Sequence, residues 1–322
     1  MKLFRTCMTA LAILGAPIGG GFAAAAEFPQ RAIKIITGFA PGTSTDVLAR
    51  AFAKEMGEDL KQPVVVENMT GSNGVLASAN VARAQPDGYT LLFVTGSHVA
   101  NAAIGKNIGY DPITDFSPVF MFAQSYGLAL ITSLPVNSVT GLVQLAKSKR
   151  GQLTYATSGL GNITHVAGVL FQKYAGISLI DVPYNSPTLA NDVVAGQVDM
   201  AFISTVVAVP LVKGGRVKVL ATTGDRRTPT LEGTPTMQES GYKDFVLTGY
   251  FGYVAPAKLP RERSEIISAA MSRALQTATV QRVIADSGLY AAPLGPEKFA
   301  DFIASDFDHQ KRLMQQLEMK AQ

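Results

Sequence analysis

Eight short runs of β-branched and apolar residues punctuate the chain, at 32–37, 63–67, 89–95, 128–132, 153–156, 179–184, 198–204 and 217–222, each bounded by Gly, Pro, Asn or Asp. Runs of this length and composition are buried strands. Helical stripes lie between them: Val47, Leu48, Ala51, Phe52 and Met56 share one face, and Val166, Val169, Leu170 and Tyr174 share another. Strands alternating with core-facing helices predict an α/β fold of mainly parallel sheets with helices on both faces. A further stripe, Phe299, Ile303, Phe307, Met314 and Leu317, follows Pro296 and predicts a long closing helix. The 322 residues are 47% hydrophobic, enough for one or two compact domains, and 30 Gly and 17 Pro supply the turns between elements.

Charge narrows the partners. Lys2 and Arg5 are the only charges in residues 1–26, which leaves 26 of the 28 basic residues against 24 acidic ones in the remainder. A near-neutral scatter lacks the basic stripe that nucleic acid requires. The same N-terminal stretch joins Lys2 and Arg5 to an apolar run from Met8 to Phe22 and the small residues Ala23 to Ala26, the pattern of a secretory signal peptide cleaved near Glu27. Pro17 and consecutive glycines make that run a poor membrane anchor. Cleavage would remove Cys7, the one cysteine, and with it thiol catalysis and cysteine metal sites. The expected product is a disulfide-free protein outside the cytoplasmic membrane, in the periplasm.

One internal match stands out. At an offset of 119 residues, Gly42, Thr45, Val47, Phe52 and Lys54 meet Gly161, Thr164, Val166, Phe171 and Lys173, and each stretch follows a strand and opens a helix. Helix N-termini present unpaired N–H groups and attract anions. The rule that ligands sit beyond the carboxyl ends of parallel strands selects loops 40–45, 70–74, 96–98, 157–162, 185–188 and 204–205, which hold no Lys or Arg. An anion there would meet amides, hydroxyls and water.

The segments A-P-G-T-S-T-D from Ala40, E-N-M-T-G-S-N-G from Glu67, P-D-G-Y-T-L-L from Pro86, D-F-S-P-V from Asp115, Y-A-T-S-G-L-G-N-I-T-H from Tyr155, V-P-Y-N from Val182, G-Q-V-D from Gly196 and E-S-G-Y from Glu239 resemble, in order and spacing, the Bug family of solute-binding proteins of tripartite tricarboxylate transporters. The resemblance runs from about Phe28 onward. It implies a two-lobed, type II Venus-flytrap periplasmic-binding-protein fold, with lobe 1 formed by 27–125 and 250–322 and lobe 2 by 126–249. The chain would cross near 124–128 and return near 248–253. It further implies that loops 40–46 and 157–165 hold a ligand carboxylate through N–H groups, hydroxyls and waters, and that the loaded protein docks on a membrane permease. Thr43, Thr157 and Asn162 depart from a glycine and two serines common in that family, and Asn185 with Ser186 replaces a Lys-Gly pair, so no particular ligand is carried over.

The candidate ligand contacts are therefore Phe39, Ala40, Gly42, Thr43, Ser44, Thr45, Asp46, Ser97, His98, Thr157, Ser158, Gly161, Asn162, His165, Tyr184, Asn185 and Ser204. Asp46 reads either as a first-turn capping acid or as a contact to a ligand ammonium or bound water. Phe39 and Tyr184 either line the cleft or pack at strand ends. His98 and His165, 67 residues apart without a carboxylate pattern, do not suggest a metal site. Catalysis finds no constellation: Asp46 breaks a G-x-S-x-G match, Ser240 to Lys243 is an S-x-x-K without companions, and phosphate- and dinucleotide-binding glycine motifs are missing. The sequence thus predicts a monomeric, cofactor-free binding protein for a small organic carboxylate, a mono- or dicarboxylate or an aromatic acid. A receptor for a signalling partner is the alternative, and a hydrolase a weaker one.

Overall fold

Ile33, Ile35 and Ile36 are buried while Lys34 between them is exposed, and the strand they form lies at the middle of a parallel trio. The computed structural model describes residues 28–104, 108–159, 162–184 and 188–316. In chain order the first lobe contains β1 (Ile33–Thr37), α1 (Ser44–Leu60), β2 (Val64–Asn68), α2 (Val75–Ala82), β3 (Thr90–Thr95), α3 (Ser97–Ala103) and β4 (Phe116–Ser125). The second contains β5 (Leu128–Thr132), α4 (Val139–Ser148), β6 (Thr154–Thr157), α5 (Ile163–Ala175), β7 (Ile180–Pro183), α6 (Leu189–Val194), β8 (Met200–Ser204), α7 (Thr205–Lys213) and β9 (Lys218–Thr222). The chain then returns through β10 (Tyr250–Pro256), α8 (Arg261–Leu275), α9 (Ala278–Asp286), β11 (Leu289–Leu294) and α10 (Pro296–Gln316).

The first sheet runs β11-β4-β10-β3-β1-β2 and the second β7-β6-β8-β5-β9. Both are mixed rather than mainly parallel. β1 pairs parallel with β2 and β3, and β6 with β7 and β8, whereas β10 is antiparallel to β3 and β4, β11 to β4, and β5 to β8 and β9. The departures cluster on the strands that carry the chain between sheets. β4 passes into β5, in the other sheet, through only Tyr126 and Gly127.

Three of these strands escape the sequence pattern. β4 contains Pro118, β11 contains Pro293, and β10 contains Gly252 and ends at Pro256. Proline removes a ladder donor and demotes a run as a strand. The structure accommodates both internal prolines at register shifts, beside the Val254–Pro118 pair and between Ala291 and Leu294.

Helices cover both faces of each sheet. In the first lobe, the Phe52, Phe93, Phe122 and Tyr253 rings pack beneath α1 and α8, while Val94, Tyr250, Phe299 and Ile303 pack beneath α2 and α10. In the second, Leu142, Tyr155, Phe171 and Phe202 form one side and Val193, Ile203 and Ala208 the other. α10, expected within the first lobe, spans both: its Phe299 and Ile303 belong to the first core, and its Leu313 and Met314 are buried in the second. Leu317 of the predicted stripe, like the 1–26 segment, lies outside the described residues.

The crossing is tied by hydrogen bonds. Ser125 N–H donates to the Gly249 carbonyl at 2.8 Å, and Gly249 N–H donates to Ser125 Oγ at 2.7 Å. Thr223 Oγ1 accepts from Leu128 N–H at 2.8 Å and donates to the Leu247 carbonyl at 2.7 Å. No helix among the described residues is long and apolar enough to cross a membrane.

Candidate functional site

α1 and α5 begin alike. Thr43 caps α1, its Oγ1 accepting from Asp46 N–H at 3.4 Å and lying 2.9 Å from Thr45 Oγ1. Asn162, 119 residues later, caps α5: its Oδ1 accepts from Thr164 N–H and from Thr164 Oγ1, both at 3.1 Å. The aligned threonines Thr45 and Thr164 thus brace the aligned caps, the structural content of the internal match.

Asp46 is tied into the scaffold of its own loop. Its carboxylate is buried and accepts from Gly42 N–H (2.9 Å), Arg50 Nε (3.0 and 3.1 Å) and Asn68 Nδ2 (2.8 Å). Burial raises its pKa, but the hydrogen bonds from Arg50, Gly42 and Asn68 and the Arg50 charge outweigh it and hold the carboxyl below the usual aspartate value. This arrangement fixes the 40–43 turn. Ala40, Gly42, Thr43 and Ser44 remain exposed, and Thr45 is buried.

Between the lobes lies a cavity of about 240 Å³. The first lobe contributes Phe39, Asn73, Thr95, Gly96, Ser97 and Ala100; α5 contributes Asn162, Ile163 and Val166; the returning chain contributes Leu247 to Phe251; and α10 contributes Gln310 and Met314. No Lys, Arg, His, Asp or Glu is among these lining residues. Of the sequence candidates, Phe39, Ser97 and Asn162 line it. The others described do not, and Gly161 and Asn185 lie outside the described residues.

Several other candidates turn their side chains away from this cavity. His98 is 3% exposed, stacks on Tyr110 at 5.2 Å and meets the Phe116 edge at 4.7 Å. Burial pushes its pKa down to about 4, against the opposing pull of the Pro112 carbonyl, which keeps the buried ring neutral. His165 is also buried, its Nε2 3.7 Å from Asp181 Oδ2, turned into the second lobe. Thr157 is fully buried and donates to Asp181 Oδ1 at 3.0 Å. Ser158 is exposed, and its N–H donates to Thr164 Oγ1 at 2.8 Å. Tyr184 packs on the second-lobe core, and Ser204 is exposed where β8 meets α7.

The residues that sequence reasoning left out have two origins. Asn73 lies in loop 70–74, and Thr248 to Phe251, with Leu247 just before them, lie in the predicted return crossing near 248–253, which must pass under any cleft between two lobes. Gln310 and Met314 come from a helix whose stripe signals burial without saying against what. Behind this part of the wall sits Asp306, whose buried Oδ2 has no hydrogen-bond partner, as has the hydroxyl of the lining residue Tyr250. Burial pushes the Asp306 carboxyl up to about 6, with a hydrogen bond from Gln310 opposing. Among the described residues no group of three or more His, Cys, Asp and Glu could hold a metal ion.

Comparison with known proteins fits this geometry. The pattern of the family described as Tripartite tricarboxylate transporter family receptor (TctC) matches residues 48–319. BugT of Bordetella pertussis is 32% identical over 307 residues, covering 92% of this chain and 93% of BugT. Among solved structures, MatC (Rpa3494) from Rhodopseudomonas palustris with bound malate is 29% identical with a TM-score of 0.73, covering 89% of this chain and 99% of its own. R. palustris Rpa4515 with adipate is 28% identical with a TM-score of 0.78, covering 91% of this chain and 99% of its own.

Proposed function

The chain belongs to the tripartite tricarboxylate transporter receptor family, and from that membership we propose that it captures a small organic carboxylate between its lobes and delivers it to a tripartite permease. It is a binding protein and not an enzyme. The observation that carries the reading is the capped N-terminus of α5 opening onto a cavity walled by both lobes: Asn162 and Ile163 lie on one side, Phe39, Thr95 and Ser97 on the other. Amide groups at that terminus suit a carboxylate, and the malate and adipate held by the relatives are of that chemical class.

In this reading Phe39, Ser97 and Asn162 contact the ligand, and loops 40–46 and 157–162 complete the site when the lobes, 27–125 with 250–322 and 126–249, close around it. One chain supplies both walls, so a monomer suffices. The 1–26 segment directs the chain to the periplasm, where the permease would meet it. Calorimetry with a panel of organic acids and neutral sugars is the test: carboxylates should bind, and binding of sugars alone would overturn the proposal.

A further inference from the structure

Resting on the carboxylate reading above, we propose that Asn73 reads a hydroxyl group on the ligand, so that the cavity prefers a hydroxy acid to the same acid without its hydroxyl.

The loop that carries Asn73 adopts a backbone that most residues avoid. Gly71, Ser72, Asn73 and Gly74 have φ values of 152°, 46°, 55° and 88°. Non-glycine residues held in the left-handed region are strained, and such residues gather at ligand clamps. Neighbours hold the loop there. A Cβ on Gly38, just past β1, would fall 2.5 Å from the Gly74 Cα, so the two backbones press together. Asn101 of α3 donates from Nδ2 to the Asn73 carbonyl at 3.1 Å, and Asn73 Nδ2 donates to Asn101 Oδ1 at 3.4 Å. The outcome is a side-chain amide fixed at the first-lobe wall of the cavity.

What that amide leaves free decides what it can read. Its N–H contact to Asn101 is long and weak, and its Oδ1 accepts from no described residue. A free amide oxygen needs a donor, which an ionised carboxylate lacks and a hydroxyl has, while the amide N–H can return a bond to that hydroxyl. The surroundings are of the same kind: Thr95 and Ser97 also line the cavity with their hydroxyl oxygens 2.9 Å apart, and Ser97 Oγ would lie 4.0 Å from a Cβ on Gly74. This mixed donor and acceptor patch stands on the wall opposite Asn162 and Ile163, where the α5 N-terminus suits the anion. A second carboxylate finds donors elsewhere in the lining, in the Thr248 hydroxyl and the Gln310 amide, so diacids and monoacids are both admitted.

The test is calorimetry on the full chain with matched pairs: malate, as each enantiomer, against succinate, and 2-hydroxyglutarate against glutarate. The preferred hydroxy acid is expected to bind about tenfold more tightly than its partner, the worth of one net hydrogen bond. Asn73→Gly suits the left-handed backbone, so its melting should stay at or above wild type while the ratio within each pair falls toward one. That ratio does not depend on how much of the variant folds. Pairs bound with equal affinity by the wild type, or a ratio that Asn73→Gly leaves unmoved, as a carboxylate on the amide would give, overturn the role of Asn73 and leave carboxylate capture standing. Failure of all four acids overturns the hydroxyl preference, and neutral sugars bound in their place overturn carboxylate capture as well.

Discussion

Gly127 and Gly224 meet backbone to backbone where the chain enters the second lobe. A Cβ on Gly127 would fall 2.5 Å from the Gly224 amide nitrogen, and one on Gly224 would fall 2.4 Å from the carbonyl oxygen of Tyr126. Two strands, β4 passing into β5 and the segment leading into β10, are thereby drawn together under the cavity, where Ser125 and Thr223 bond them. The contact leaves no room for any side chain.

Gly224→Ala is accordingly expected to destabilise the fold by about 1–3 kcal/mol through overpacking alone. Gly127→Ala should cost more, because Gly127 also holds a φ of 80°, a left-handed conformation that penalises a Cβ. Urea unfolding of the two variants measures both. Wild-type stability in Gly224→Ala would show that the crossing is slack.

Asp46→Asn should cost about 1–3 kcal/mol at neutral pH, since it removes a buried carboxylate that accepts from Gly42, Arg50 and Asn68. The sign follows from its lowered pKa: the stabilisation is present above the unfolded aspartate value, near 3.9, and is lost as pH falls through the folded one. The gap between variant and wild type therefore closes below about pH 4. Binding of amino-acid ligands should fall no more than that of other acids, and a selective loss would return Asp46 to the ligand.

Asp306→Asn should do the reverse. A carboxyl raised from 3.8 to about 6 contributes stability that is full below the unfolded value and lost as pH rises through 6, a difference of about 3 kcal/mol at most between the two limits. The isosteric amide escapes that loss. Its melting temperature should exceed wild type at pH 8 and match it near pH 4, and equal melting at both would refute a buried, poorly partnered acid.

At Asn162 two substitutions separate capping from binding. Asn162→Ala should lose about 0.5–2 kcal/mol of stability with the cap and weaken carboxylate binding as well. Asn162→Asp keeps a capping oxygen but sets a negative charge at the α5 N-terminus, so melting should stay near wild type while carboxylate affinity falls. Retained affinity in Asn162→Asp would remove the anion from that end of α5.

The strands that read plainly in the sequence are those flanked by helices, from Ile33–Thr37 to Lys218–Thr222. Those that did not are β4, β10 and β11, where Pro118 and Pro293 interrupt the pattern and the ladder shifts to admit them. At the cavity, the strand-end rule reaches loops 70–74, 96–98 and 157–162, which supply Asn73, Gly96, Ser97 and Asn162, but not the direction of each side chain. Ser97 lines the cavity whereas His98, about 100° further round the helix, points into the core. Loop position is a property of topology that one sequence displays; side-chain direction depends on where α3 docks. Met314 shows in the sequence only as a member of a burial stripe and Gln310 not at all, because their partners are brought beside them only by the assembled lobes.

α10 therefore does more than close the chain. With Leu313 and Met314 buried in the second core and Phe299 and Ile303 in the first, it is a strut bolted at both ends. An opening motion that lifts α10 off the second lobe draws these two apolar side chains into water, at about 1.5–3 kcal/mol for each one fully exposed. That resistance biases the empty molecule toward the enclosed geometry, so less of a ligand's binding energy is consumed in enclosing it and its apparent affinity rises. The same resistance opposes unloading. A membrane partner that accepts the cargo must supply the work of prying α10 off the second lobe, which makes this helix the point where grip and release are traded against each other.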